Sequence, residues 1–181
     1  MSKTTLRVRQ SSKKSFASVA VGGTPSSYWL PGAEGYPLLL AALTGLGPGG
    51  ARAVLWHQGE SDSLPEVAPE QYRDNLRKTI GQLPVDAGWC PPWVVAGVSY
   101  HPEAPAVTAP VAGQALLWRE GTARQGPYTD DMLGALYRCD TVHFSEYGLR
   151  AHAERWFALL WAQFYARLPL GLQPERQAAD R

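Results

Sequence analysis

The sequence predicts an α/β fold with a parallel sheet, and three observations lead to this prediction. Short apolar runs alternate with longer segments whose apolar residues recur at helical spacing. Glycine or a polar cluster follows the apolar runs, as it does at the C-terminal end of a buried parallel strand. With 181 residues, 45% of them hydrophobic, the chain is long enough for one domain with a filled core.

Four segments have the composition of strands. Thr4–Arg9 alternates in polarity and is predicted as a short edge strand. The other three are predicted as buried parallel strands: Ala17–Val21, Ala51–Trp56 and Trp93–Val98. A crossover between parallel strands needs about a dozen residues or more. Because Thr4–Arg9 lies so close to the next strand, we expect these two to form a hairpin.

Four segments are predicted as helices: Pro37–Leu46, Pro69–Leu83, Pro110–Gln125 and roughly Glu146–Leu168. In the second, Tyr72, Leu76 and Ile80 share one face. Ser145 is expected to cap the N-terminus of the last helix. The segment Asp130–Tyr137 is short and fits no single element.

Charge and composition exclude several kinds of partner. With 17 basic and 16 acidic residues, the formal charge of +1 gives no reason to expect nucleic acid or an anionic membrane surface. The N-terminus lacks the apolar core of a signal peptide and no run is long enough to span a bilayer, so we expect a cytoplasmic protein. Cys90 and Cys139 have no metal-type spacing. Residues 1–168 are predicted as one domain and 169–181 as a flexible tail.

The strongest chemical signal is the run from Trp56 to Asp62, which reads WHQGESD. An apolar strand leads directly into polar side chains, with Gly59 allowing close backbone approach. In α/β proteins, functional groups gather at the carboxyl ends of the parallel strands, so the run is a candidate site. An ordinary polar turn between strand and helix explains the same pattern.

Two weaker signals accompany it. In the run from Asp140 to Ser145, a carboxylate stands three residues before His143 and can orient its imidazole as a general base, although such a pair also caps helices. The glycines of Val21-Gly22-Gly23-Thr24 follow an apolar strand and expose backbone N–H groups that can hold an oxyanion, although a tight turn has the same sequence.

In their order, these segments resemble the sialate O-acetylesterase-like branch of the SGNH hydrolases, close to carbohydrate esterase family 6. That branch carries a GGT and WLPG segment, then a strand into an HQGES run, then a D-x-V-H run. The counterparts here are Gly22–Gly32, Trp56–Asp62 and Asp140–Phe144. The resemblance covers residues 18–161.

The resemblance implies a three-layer α/β/α sandwich with a flavodoxin-like parallel sheet, and a carboxylic ester hydrolase acting on an acetylated saccharide or other small ester. His143 would be the general base, and Asp140 would orient it, with Glu60 as a second candidate for that role. The oxyanion and substrate-binding groups would be Gly23, Gln58 and Gly59. A serine mechanism needs neither a metal nor another cofactor.

The sequence departs from the family at the nucleophile. The family places a GQSN-like run well upstream of the GGT segment, and residues 1–181 contain only the lookalike Arg9-Gln10-Ser11-Ser12, without the Gly and the Asn. Ser11 is therefore not expected to be a nucleophile. We expect an N-terminally truncated esterase domain of impaired activity. The alternative is a non-catalytic relic or a saccharide-binding pseudoenzyme.

Overall fold

A computed structural model describes residues 5–11 and 14–166, with side chains from Ala17 onward. The strands are β1 Thr5–Ser11, β2 Lys14–Ala20, β3 Val54–Trp56, β4 Trp93–Gly97 and β5 Arg124–Tyr128. The helices are α1 Tyr36–Leu46, α2 Glu60–Ser63, α3 Pro69–Ala87, α4 Ala109–Arg119, α5 Gly134–Tyr137 and α6 Glu146–Leu160. A 3-10 turn covers Ser26–Trp29 and a π turn covers Trp161–Tyr165. The predicted tail, residues 169–181, lies outside the described residues.

The chain forms two compact units, residues 1–131 and residues 132–181. The first contains the five strands and helices α1 to α4, and the second contains α5 and α6. The two units are described separately below.

The central element of the first unit is a three-stranded parallel sheet in the order β3-β4-β5. Val54 of β3 is opposite Trp93 of β4, and Val94 of β4 is opposite Arg124 of β5. Strand β4 lies in the middle and is buried along its whole length, which explains its uninterrupted apolar sequence. Helices flank this sheet, and the predicted α/β class is confirmed.

The N-terminal strands do not join this sheet. Strands β1 and β2 form a separate antiparallel pair, with Thr5 opposite Ala20 and Ser11 opposite Lys14. The expected hairpin is confirmed, but the prediction of a buried parallel strand at Ala17–Val21 is wrong. Its residues alternate between half-buried and exposed, as in a ribbon with one covered face. The two-residue connection permits only an antiparallel return.

The predicted helix Pro110–Gln125 is too long. It ends at Arg119, and Gly121 then takes a left-handed φ of +71° that no helix continues. The following residues form β5, at the edge of the sheet. Strand β5 was missed because it contains Gly126 and Pro127 and no β-branched residue. An edge strand tolerates proline, and a Cβ at Gly126 would come within 2.8 Å of the β4 backbone.

Other predicted bounds were close. Strand β3 is shorter than predicted, since it begins at Val54 and not at Ala51. The last helix ends at Leu160 and continues as a π turn to Tyr165. The predicted cap is confirmed, because the Ser145 hydroxyl accepts the backbone N–H of Gly148 at 3.0 Å.

Three tryptophans connect the 3-10 turn to the sheet in the core of the first unit. The rings of Trp29 and Trp56 meet edge to face with centroids 5.7 Å apart, and Trp56 lies 5.5 Å from Trp93. These rings are packed among buried residues of the flanking helices, namely Leu39, Leu43, Tyr72, Leu76, Leu83 and Leu117. The core therefore fixes the segment after β2 against the carboxyl end of β3.

Candidate functional site

The Gln58 side chain joins two of the segments that the sequence singles out. Its Nε2 donates to the backbone carbonyl of Thr24 at 3.2 Å and to Oδ2 of Asp62. The Gly22–Thr24 turn and the end of β3 are thus in direct contact, although β2 lies outside the parallel sheet. Oε1 of Gln58 is buried and has no hydrogen-bond partner among the described residues.

Asp62 is the centre of this contact. Its side chain is buried, with 1% of the residue exposed. It accepts the backbone N–H of Ser26 at 2.8 Å and the Ser26 hydroxyl at 2.6 Å, besides Gln58. The amide of Asn75 on α3 donates in turn to the Ser26 hydroxyl at 3.0 Å. A buried carboxylate needs such donors, and here they hold the two candidate segments together.

A second set of bonds fixes the main chain at Gln58. Its carbonyl oxygen accepts the Tyr72 hydroxyl at 2.6 Å and the Gln114 amide at 3.0 Å. Gln114 is fully buried and also bonds both the N–H and the carbonyl of Val98, just after β4. The phenol of Tyr72 is fully buried as well, and this burial raises its pKa. The ends of β3 and β4 are therefore tied by α3 and α4.

The two candidate glycines have different reasons to be glycine. A Cβ on Gly59 would lie 2.0 Å from the carbonyl oxygen of Val98, so the close packing of the two strand ends requires its absence. Gly23 is exposed, and a Cβ there would meet nothing within 4 Å. Its φ of +72° is the reason for glycine at that position.

Glu60 pairs with a neighbour in its own segment. Its Oε1 lies 3.3 Å from Nε2 of His57, and its Oε2 accepts the backbone N–H of Gly59 at 3.0 Å. Burial by itself would raise the pKa of Glu60, but the hydrogen bond and charge of His57, with the Gly59 N–H, hold that pKa below its usual value. Both side chains are partly exposed. This is an imidazole–carboxylate pair that the sequence analysis did not anticipate.

Asp130 anchors the loop after β4. Its carboxylate accepts the Ser99 hydroxyl at 2.7 Å and the backbone N–H groups of Ser99 and Tyr100 at 2.9 and 3.0 Å. The Ser99 carbonyl accepts the Ser63 hydroxyl of α2 at 2.6 Å. This loop is thereby fixed to α2, the short helix that begins within the WHQGESD run.

In the second unit, Asp140 and His143 form the expected pair. Oδ2 of Asp140 lies 2.6 Å from Nδ1 of His143, and Oδ1 accepts the backbone N–H groups of His143 at 2.6 Å and of Val142 at 3.1 Å. The imidazole side chain is 76% exposed. The contact fixes the orientation of the ring through Nδ1 and does not involve Nε2. The pKa of Asp140 falls to about 2, chiefly through the His143 N–H and then its ring.

The turn that holds this pair is strained and is supported from within its unit. Thr141 adopts a φ of +69°, which is unusual for a β-branched residue. The buried Arg138 donates from Nε to the carbonyl of Met132 at 2.9 Å and from Nη1 to the carbonyl of Val142. Its guanidinium lies 4.5 Å from the centroid of the Phe144 ring. Strain at a candidate catalytic turn is expected where surrounding bonds compensate for it.

The structure brings Gly23, Gln58, Gly59 and Glu60 into one neighbourhood of the first unit, and Asp140 and His143 into one turn of the second. Sequence reasoning gave no role to Asp62, Ser26, Asn75, Gln114 or Arg138. One signal was available for α3, where Asn75 and Thr79 fall on the same face as Tyr72, Leu76 and Leu83. Polar residues within an apolar stripe indicate buried hydrogen bonds.

The described residues contain neither a membrane-spanning helix nor a cluster of metal ligands. No helix there is long and apolar enough to cross a lipid bilayer. Within the same ranges, no group of three or more His, Cys, Asp or Glu side chains has an arrangement that could hold a metal ion.

Comparison with known proteins assigns the family. Residues 2–115 match the family described as carbohydrate esterase, sialic acid-specific acetylesterase. The match contains the Gly22–Gly32 and Trp56–Asp62 segments and ends before Asp140–Phe144. No curated protein and no solved structure matches the chain significantly. Because the match spans more than half of the 181 residues, the chain belongs to the carbohydrate esterase, sialic acid-specific acetylesterase family and is an esterase by family.

Proposed function

We propose that this domain binds O-acetylated saccharides and carries the base and the oxyanion groups of an acetylesterase site. His143 is the general base, and Asp140 orients it. The observation that carries this assignment is the 2.6 Å contact between Asp140 Oδ2 and His143 Nδ1, which directs Nε2 to the reaction. Glu60 is engaged by His57, which favours Asp140 for the orienting role.

The oxyanion groups of this proposal are the N–H of Gly23 and the side chain of Gln58. Gly59, the third residue of this candidate set, lies between Gln58 and α2. Donors of this kind stabilise the charge that develops on the ester carbonyl during attack. The bonds from Ser26 to Asp62 support the proposal for Gly23, because they hold the turn that carries its N–H in place before the reaction.

Turnover by the 181-residue chain is expected to be weak. Its sequence has no GQSN-like run, and a base without its nucleophile retains only binding and oxyanion effects, about 10³–10⁴-fold over water. Water activated by His143 would attack the acetyl carbonyl, and acetate and the sugar hydroxyl would be the products. Such water lacks the fixed position of a covalently attached hydroxyl.

One observation favours a second function, saccharide binding without turnover. Gln58 Nε2 already donates to Thr24 and Asp62, so the amide has to break one of these bonds before it can donate to an oxyanion. A site that keeps both bonds can bind a sugar without stabilising a transition state.

The test is hydrolysis of p-nitrophenyl acetate and of an O-acetylated sugar by the wild type, His143→Gln, Ser11→Ala and the control His101→Gln. We expect weak wild-type activity that is lost in His143→Gln and retained in the control. Strong activity that does not depend on His143 would overturn the assignment. Loss of activity in Ser11→Ala would identify Ser11 as the nucleophile. Sugar binding without any hydrolysis would establish the second function.

A further inference from the structure

A row of apolar side chains runs along an exposed side of α6 in the second unit. Residues four apart lie on the same face of a helix, and Leu149, Ala153 and Phe157 form such a row. Leu149 is 57% exposed and Phe157 54%, and Ala153 between them is also exposed. The row continues into the π turn, where the Trp161 ring lies 5.8 Å from that of Phe157. A contiguous apolar surface of this kind marks an interaction site, whereas single exposed apolar side chains need no explanation.

The packing of α6 within its own unit uses another side of the helix. Its buried residues are Gly148 and Trp156, and a Cβ on Gly148 would lie 2.1 Å from the carbonyl oxygen of Tyr137 in α5. Between them, His152 stacks on Phe144 with centroids 5.1 Å apart and accepts the indole N–H of Trp156 at 2.9 Å. Because these contacts hold the helix, substitutions in the exposed apolar row should not unfold it.

A row of alternating charges runs beside the apolar row. Glu146, Arg150 and Glu154 are also four residues apart and therefore share one face. A guanidinium nitrogen of Arg150 lies 2.6 Å from a carboxylate oxygen of Glu146, and both side chains are largely exposed. Glu154 is exposed as well and forms no ion pair within the described part of the chain. The flank of the apolar row is thus neither basic nor acidic, but alternates in sign.

This alternation distinguishes between the kinds of partner that an apolar row can bind. A helix that lies on a lipid surface carries Lys and Arg beside its apolar face, whereas two of the three charges here are negative. A second copy of α6 that runs antiparallel is complementary to both rows. With Ala153 on the two-fold axis, Leu149 lies opposite Phe157 of the second copy, because both are four residues from the axis. On the flank, Arg150 then lies beside Glu154 of the second copy.

We propose that the exposed face of α6 is a dimerisation surface that binds a second copy of this chain, antiparallel about Ala153. A two-fold interface uses the same surface on both subunits, so each contact occurs twice. The dimer therefore contains two contacts between Leu149 and Phe157 and two ion pairs between Arg150 and Glu154. Burial of the apolar row supplies the affinity, and the charges fix the orientation. The inference goes beyond the proposed function, since none of the proposed esterase residues takes part in it.

The oligomeric state of the full chain in solution tests the proposal. Sedimentation is measured from about 1 to about 200 μM, the range in which a small interface associates. We expect a reversible equilibrium between monomer and dimer for the wild type. Phe157→Asp should weaken dimerisation at least about tenfold, because it places a charge in the apolar contact. The control Val85→Asp adds the same charge at a position of α3 that is 71% exposed and should leave the equilibrium unchanged.

Charge reversal tests the arrangement of the two helices. Arg150→Glu alone and Glu154→Arg alone should each weaken dimerisation about tenfold, since two attractive contacts become repulsive. Arg150→Glu/Glu154→Arg restores opposite signs across the axis and should recover most of the wild-type affinity. Such recovery requires that the two residues face each other across the interface. Circular dichroism checks the helix content of each variant, because Arg150→Glu also removes the ion pair with Glu146.

A wild type that stays monomeric at every concentration would overturn the inference, and so would a monomer that binds lipid vesicles or a different protein through this face. Equal dissociation by Phe157→Asp and Val85→Asp would also overturn it, as would a double charge reversal that recovers no affinity. Loss of the dimer in Phe157→Asp with recovery in the double reversal would support it. His143→Gln should dimerise like the wild type, so failure of the proposed function and failure of the dimer are distinguished.

Discussion

The carboxylate of Asp140 contacts His143 twice, through Nδ1 of the ring at 2.6 Å and through the backbone N–H at 2.6 Å. Both contacts form within one tight turn, so one side chain fixes the turn and orients the imidazole. Short carboxylates commonly bond backbone N–H groups two or three residues ahead. Here the same carboxylate also engages Nδ1 of the ring, so Nε2 is the nitrogen that the proposed function uses.

Asp140 should titrate at about pH 2 in carboxyl ¹³C NMR. Because its pKa is lowered in the folded state, its stabilising effect on the turn is complete above the ordinary Asp value and is lost as the pH falls toward 2. In His143→Ala the midpoint should rise but stay below the ordinary value, since the backbone N–H remains. An ordinary wild-type midpoint would show that the contacts do not persist in solution.

Thr141→Asn should stabilise the protein. The residue has a φ of +69°, where a β-branched side chain is strained and asparagine is tolerated. Relief of this strain is worth about 1 kcal/mol in free energy of unfolding, measured by denaturant titration. Thr141→Val keeps the branching and should give no gain. A stabilisation of the same size in both variants would mean that strain is not its cause.

Gly59→Ala and Gly81→Ala should have opposite effects. The added methyl at Gly59 meets the Val98 carbonyl at 2.0 Å, and we expect a loss of about 3 kcal/mol or more. At Gly81, inside α3, it meets open space and should raise the free energy of unfolding by about 0.5–1 kcal/mol. Thermal denaturation of the two variants checks this. A harmless Gly59→Ala would contradict the close approach of the two strand ends.

Asp62→Asn should loosen the Gly22–Ser26 turn. The amide presents a donor where Ser26 and Gln58 supply donors, so at least one buried bond is lost. The expected cost is about 1–3 kcal/mol, with faster amide hydrogen exchange around Gly23. Asp74→Asn, at a half-exposed site on α3 where the carboxylate pairs with Arg73, is the matched control and should change stability less. Unchanged exchange at Gly23 would exclude Asp62 as the group that holds this turn.

Much of the fold was predictable because local patterns specify it. The uniformly apolar β4 and the helical periodicity of α3 follow from burial, which acts on each segment in a regular way. Strand β5 was not predictable, since Gly126 and Pro127 are unfavourable for strands. It exists because it lies at the edge of the sheet, and the close approach of β4 requires a glycine.

The candidate site also has a part that could be predicted from the sequence and a part that could not. The Asp140–His143 pair could be predicted, because a carboxylate three residues before a histidine reaches it within one turn. The pairing of Glu60 with His57 also joins near neighbours. A run of consecutive polar residues, however, does not indicate which side chains bond each other. The bond from Asp62 to Ser26 joins residues 36 positions apart, and no local pattern predicts it.

By itself, the sequence determined the α/β class, the family, the order of the motifs and the turn that orients His143. These features depend on composition, periodicity and contacts between near neighbours, all of which can be recognised from residues close together in the sequence. Only the tertiary structure decided that β2 pairs with β1 and that Asp62 joins the Gly23 turn to Gln58. Those features arise from the packing of distant segments, where burial forces each polar group to find a partner from another part of the chain.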